Sequence, residues 1–152
     1  MSTVLVTGGA GFIGSHLVER LLAEPATRVV VVDNLSTGFR RNVPSDERVT
    51  FVAGDVNRHG TLAAVFARQR IDYVFHLAAV VGVDRTQADP AAVLADEHGL
   101  RHMLDLAVQH HVRHVYFASS SEVYGAARAF PLREGDSPAE AGHPYAWVKR
   151  QG

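Results

Sequence analysis

The stretch Val6–Leu17 reads VTGGAGFIGSHL, and its reading decides the fold. Ahead of its glycines, Thr3–Thr7 is a run of β-branched and aliphatic residues; behind them, Phe12–Ala23 sets Ile13, Leu17 and Leu21 on one helical face. Gly8, Gly11 and Gly14 therefore fall where a first strand turns into a first helix. Gly8 permits the tight bend, Gly11 lets backbone N–H groups approach a pyrophosphate at the positive helix end, and Gly14 lets the helix lie close on the strand. The next strand-like run, VVVVD, ends in Asp33, about 20 residues downstream as a dinucleotide site requires. A carboxylate there can accept both ribose hydroxyls of adenosine and repels a 2′-phosphate, which favours NAD over NADP. Arg40 and Arg41, in the polar loop that follows, are the residues that could instead swing toward such a phosphate.

The same alternation continues outward along the chain. Further runs rich in β-branched residues occur at Arg28–Val32, Val49–Ala53, Tyr73–Ala78 and His114–Ala118, and helical spacing recurs at Thr61–Arg70 and Ala91–His110. Strands that are apolar throughout and separated by helices imply a parallel sheet covered on both faces and joined by right-handed crossovers. The expected fold is α/β, a doubly wound parallel sheet of Rossmann type. Asn34–Asp46 and Ala126–His143 are long, irregular connections, which in compact domains are often functional.

Composition excludes several partners. The chain has 152 residues, 47% of them apolar, enough for one domain with a real core. A formal charge of -1 without a basic run speaks against nucleic acid. Cysteine is absent, so neither a disulfide framework nor a thiolate zinc site is available. Met1 leads straight into a strand-like run, with neither a signal-peptide pattern nor an apolar span of membrane length, so the expected location is cytoplasmic. Nine histidines raise the question of a metal. His98 and His102 have the i, i+4 spacing of zinc proteases but lack the intervening Glu, and His110, His111 and His114 suit a helix C-terminus, so no metal site is assigned.

Two blocks carry chemistry. YFASSSEVYG runs off the fifth strand, so Ser119, Ser120, Ser121 and Glu122 emerge at the carboxyl edge of the sheet, where open parallel sheets bind ligands. YAWVKRQG, at the end of the chain, places Tyr145 and Lys149 at i and i+4 on one helix face. An ammonium beside a phenol favours the phenolate, drawing a group with an unperturbed pKa of ~10 toward the range of a general base. Alone, this spacing marks any exposed helix face. After a serine cluster in this topology it describes Ser120 holding a substrate hydroxyl that Tyr145 deprotonates.

Together these blocks resemble the extended short-chain dehydrogenase/reductase family of NAD-dependent nucleotide-sugar epimerases, dehydratases and decarboxylases. TGGAGFIG is similar to the family's cofactor loop, implying Gly8, Gly11, Phe12, Ile13 and Gly14 as contacts. DNLSTG is similar to its ribose-side loop, with Asp33 and Asn34, and GDV to its adenine contact, with Asp55 and Val56. HLAA matches the segment along the cofactor, adding Ala78 and Ala79. The active-site blocks imply Ser120, Glu122, Tyr145 and Lys149 as the catalytic set, Tyr145 and Lys149 also touching NAD.

The resemblance also bears on the reaction. Dehydratases of the family carry Asp–Glu after the catalytic Ser or Thr; Ser121–Glu122 stands here, which disfavours dehydration. Ser–Glu together with TGFRRNV is similar to UDP-glucuronate decarboxylases, whereas HLAAVVGVDR is closer to epimerases. Both reactions begin by oxidation at C4 to a 4-keto sugar. Asp96 and Leu100 occupy places where relatives show Asn and Thr. The resemblance further implies homodimers, a nucleotide-diphosphate sugar as substrate, and additional strands and a substrate domain after Gly152. Residues 1–152 are then an incomplete NAD-binding domain, with the fifth strand as an exposed edge, and inactive alone. Three readings remain open: the NAD-binding part of an epimerase, a decarboxylase-like equivalent, or an inactive NAD-binding remnant or interaction module.

Overall fold

The computed structural model describes residues 1–125, 130–134, 136 and 142–152, without the side chain of His59. Most of the expected connection Ala126–His143 therefore lies outside the described residues. Five strands form one parallel sheet: β1 (Ser2–Thr7), β2 (Thr27–Asp33), β3 (Val49–Ala53), β4 (Tyr73–His76) and β5 (His114–Phe117), in the order β3-β2-β1-β4-β5. The helices are α1 (Phe12–Leu22), α2 (His59–Arg68), α3 (Val83–Ala88), α4 (Pro90–Gln109) and α5 (Pro144–Gln151). The doubly wound α/β architecture is as the sequence pattern implies.

The chain divides into two compact units. The first comprises Met1–Ala78 and His98–Phe117 and contains the whole sheet. Alternation along its central strands sends Val4, Val6, Val29 and Val31 to one face, with Ala10, Val18 of α1 and Val43. Leu5, Val30, Val32 and Val74 go to the other, with Leu62, Val65 and Phe66 of α2 and Leu100, Met103 and Ala107 of α4. Each Val, Leu, Phe or Met side chain so buried contributes about 1.5–3 kcal/mol. The central strands β1 and β2 are thus covered on both faces, which is why they carry no polar alternation, whereas β5 at the edge leaves His114 and Tyr116 exposed.

Element ends differ from the sequence reading for identifiable reasons. β4 stops at His76, short of the expected Ala78, because Ala78 N donates to the Thr7 side-chain Oγ1 at 3.2 Å and leaves the ladder. β5 stops with it at Phe117, the partner of His76. α2 begins at His59 rather than Thr61, since Thr61 N already bonds to Arg58 O at 3.0 Å. The expected irregular stretch Asn34–Asp46 includes a 3-10 turn at Arg40–Asn42.

The second unit comprises Ala79–Glu97 and Ala118–Gly152. It contains α3, the first turns of α4, a 3-10 turn at Ser121–Tyr124, and α5 packed on that turn. α3 carries no apolar period and went unread in the sequence. No helix among the described residues is long and apolar enough to cross a membrane.

Candidate functional site

In the first unit the glycine loop is fixed by steric necessity. Gly8 has φ +71°, and a Cβ there would stand 2.8 Å from Ala78 N; a Cβ on Gly14 would fall on the Gly8 carbonyl oxygen. Both positions admit only glycine, Gly8 for its left-handed backbone as well as for space. Gly11 is the N-cap of α1 and offers no side-chain acceptor. The first bond into the helix is Ser15 N to Gly11 O at 3.0 Å, so the N–H groups of Phe12, Ile13 and Gly14 open from the helix end, flanked by exposed Phe12 and Ile13 side chains. Such an end favours an anion.

Asp33 is buried at the end of β2. Its Oδ2 accepts from Ala10 N at 2.9 Å and its Oδ1 from Leu35 N at 2.7 Å. A carboxylate offers about four acceptor positions, so capacity for two further donors remains. The loop beyond it is tied back to the glycine turn: Phe39 N and Asn42 Nδ2 both donate to Ala10 O, at 3.1 and 2.9 Å. Arg40 and Arg41 stack over Phe51 and Phe39, with their guanidinium carbons 4.7 and 4.4 Å from the ring centres. Asn34 and Asp55 shape their own turns, accepting from Ser36 N at 3.0 Å and Asn57 N at 2.9 Å. Val56 is packed in the core, and Thr7 Oγ1 ties Ala78 to His76 Nδ1, 2.9 Å away. A Cβ-free turn, an open helix N-terminus and a part-used carboxylate fit a dinucleotide's pyrophosphate and ribose.

The second unit contains Ala79 and the whole expected catalytic set. Ser120 Oγ caps the 3-10 turn, accepting from Glu122 N at 3.3 Å, and its hydroxyl proton remains available to donate. Lys149 is only 4% exposed; its Nζ donates to Ala118 O at 2.8 Å and lies 5.7 Å from the centre of the Tyr145 ring. Burial pulls the Lys149 ammonium below its ordinary range, while the Asp96 carboxylate pushes the other way. Ser119 Oγ donates to Lys149 O at 3.1 Å and so anchors the end of α5.

At the other end of α5, His143 Nδ1 accepts from Ala146 N at 3.3 Å, and its Nε2 stands 3.1 Å from Glu122 Oε2. With Nδ1 accepting, Nε2 carries the proton and donates to the carboxylate. The structural roles of Ser119 and His143 escaped the sequence reading. For His143 a signal existed, since Pro144 directly after it marks a first helical position and makes the preceding residue the N-cap. Chemically, the second unit offers a phenol with a buried cation nearby, a hydroxyl donor and a tethered carboxylate.

The model of the NAD dependent epimerase/dehydratase family matches residues 4–152, and the chain belongs to that family. It is 37% identical over 148 residues to a UDP-glucose 4-epimerase of Lacticaseibacillus casei, covering 97% of this chain and 44% of that protein. To a dTDP-glucose 4,6-dehydratase of an Actinoplanes species it is 39% identical over 157 residues, covering 96% and 48%. The solved UDP-glucose 4-epimerase of Bifidobacterium longum, in complex with NAD+ and UDP, superposes with a TM-score of 0.86 at 30% identity, covering 99% of this chain and 46% of that one. The chain spans less than half the length of these relatives.

Proposed function

We propose that residues 1–152 serve as the NAD-binding, Rossmann-type domain of a nucleotide-sugar 4-epimerase that works through a 4-keto intermediate, with a substrate domain supplied by further sequence. The observation that carries this reading is the buried Lys149 ammonium beside the Tyr145 ring. Supporting it, the UDP-glucose 4-epimerase relatives align over nearly the whole chain.

In this reading the N–H groups at the start of α1 would receive the pyrophosphate and Asp33 the ribose hydroxyls, with Asp55, Val56, Ala78 and Ala79 as the further contacts that the family's blocks imply. NAD, when bound, accepts and returns the hydride at C4. Ser120 donates a hydrogen bond to the C4 oxygen, and Tyr145 Oη takes the proton from the C4 hydroxyl and later gives it back. The Lys149 charge stabilises the phenolate that can do so. Inversion would require the planar 4-keto sugar to turn over before hydride is returned, so that the opposite face of C4 is presented.

A second reading has its own observation. Glu122 is held by His143 next to Ser120, as a carboxylate assisting proton transfer in a decarboxylase would need. The two readings separate by product: UDP-galactose from UDP-glucose, or carbon dioxide from UDP-glucuronate. The assay is run on the chain alone and on the chain with the complementary carboxyl-terminal part of a UDP-glucose 4-epimerase. Epimer formed in the mixture and lost with Tyr145→Phe supports the proposal. NAD binding without turnover of any nucleotide sugar overturns it in favour of an NAD-binding remnant.

A further inference from the structure

A single imidazole touches both blocks that carry the proposed chemistry. His143 stands at the N-cap of α5, where its Nδ1 accepts from Ala146 N at 3.3 Å, and its Nε2 lies 3.1 Å from Glu122 Oε2 on the 3-10 turn. Its ring runs parallel to the Tyr145 ring, with centres 6.3 Å apart and an interplanar angle of 8°, within the reach of aromatic pairs. On the turn, Glu122 N donates to Ser120 Oγ at 3.3 Å. Polar contacts thus run from Ser120 through Glu122 and His143 to the first turn of α5, all inside the second unit.

These two bonds can coexist in only one form of the ring. A backbone N–H can only donate, so Nδ1 must present a lone pair, and Nε2 then holds the one ring proton that meets the carboxylate. Asn or Ser at an N-cap carries no group that titrates near neutrality, whereas histidine caps only while Nδ1 is bare. A second proton turns Nδ1 into a donor facing the Ala146 N–H, which loses its acceptor, while the bond to Glu122 becomes an ion pair. His143 is half-exposed, so solvent can deliver that proton. Among the described residues, the other titratable groups on the elements packed here are Tyr124 of the 3-10 turn and Tyr145, Lys149 and Arg150 of α5, with Lys149 Nζ engaged on Ala118 O.

We propose that His143 is a positioning residue that joins the serine turn to the Tyr–Lys helix, and that it does so only as the neutral Nε2–H tautomer. Uptake of a second proton releases the start of α5, and with it Tyr145, while Glu122 stays held. Because α5 has eight residues and little stability of its own, losing the cap loosens its first turn. The consequence for catalysis, a loss of turnover in acid, rests on the reading of Tyr145 as the proton-transfer phenol. The tautomer and the pH-dependent cap need neither cofactor nor sugar.

The test compares the 152-residue chain with its His143→Asn variant by NMR. While the ring is neutral, the nitrogen resonances of His143 should show Nδ1 without a proton and Nε2 with one; the opposite tautomer overturns the proposal. On acidification, protection of the Ala146 amide, corrected for the intrinsic pH dependence of exchange, should fall about fivefold as His143 takes its second proton, the worth of a typical cap. The Asn variant, whose side-chain oxygen accepts in either condition, should keep that protection. A wild-type Ala146 amide whose protection is unchanged when His143 is protonated overturns the proposal. An equal loss in both proteins overturns it too, since acid loosening of the fold alone would give that result. Should the variant not fold, the wild-type chain decides: the Ala146 step must coincide with the His143 titration, and a step at any other pH overturns the proposal equally. All of these readouts proceed without NAD or sugar, so they stay interpretable if the proposed activity fails.

Discussion

The glycine turn and the Tyr–Lys helix are held by different forces. Around the turn, geometry follows from what cannot fit: a Cβ on Gly14 collides with backbone, one on Gly8 crowds Ala78 N, and apolar strands on either side leave one packing. Around α5, position depends on the burial of Ala146 and Val148 and on a few polar bonds between residues far apart in sequence: Lys149 Nζ to Ala118 O, Ser119 Oγ to Lys149 O, and Glu122 to His143. An eight-residue helix such as α5 is too short to be stable by itself. The proposed phosphate- and ribose-binding surface is therefore built from local sequence and core packing, while the proposed proton-transfer pair is placed by tertiary contacts as well.

Substitutions that would erase or widen this contrast can be ranked by size. Gly14→Ala should cost more than about 2 kcal/mol, because backbone and not a flexible side chain must yield. Gly60→Ala, at a helix position where a Cβ meets nothing, is the control and should be neutral or stabilising by up to about 1 kcal/mol. Chemical denaturation of both variants decides; equal effects would remove the steric account. Asp33→Asn comes next. The loss of charge-assisted acceptors should weaken NAD binding about tenfold and bring NADP closer to it, as read by titration.

Lys149→Met addresses the second region. Because the folded chain lowers the Lys149 pKa, the unfolded state binds more protons between that lowered value and the ordinary ~10.4, so the group's contribution to unfolding free energy rises with pH there. The variant should lack this rise, and denaturation midpoints measured across the alkaline window, wild type minus variant, will show it. His143→Ala has the smallest expected effect. Loss of the cap should cost about 1 kcal/mol, and His143→Asn, which caps as well, should recover it while still releasing Glu122. Amide exchange at Ala146 distinguishes the two variants.

Legibility in the sequence followed the same division. Among the described residues, the five strands and helices α1, α2 and α4 show as apolar runs or periods because each has a buried face, and α5 shows through the Tyr145–Lys149 spacing. The glycines and Asp33 were readable because their spacing is local. Strand ends were misplaced by one or two residues because the acceptor that releases Ala78 is a side chain on another strand, Thr7 Oγ1. α3 escaped because VDRTQA has no buried face to impose a period. Ser120, Tyr145 and Lys149 could be named from their blocks, but the bonds that seat Lys149 join residues 30 and 31 apart, a relation that local spacing does not encode.

The most direct test of the account is calorimetric titration of the purified chain with NAD and, separately, with NADP. The account predicts NAD binding at about micromolar affinity and NADP at least about tenfold weaker, because Asp33 meets a ribose hydroxyl in one and a phosphate in the other. A folded chain that binds neither, or that binds NADP as tightly as NAD, would contradict it.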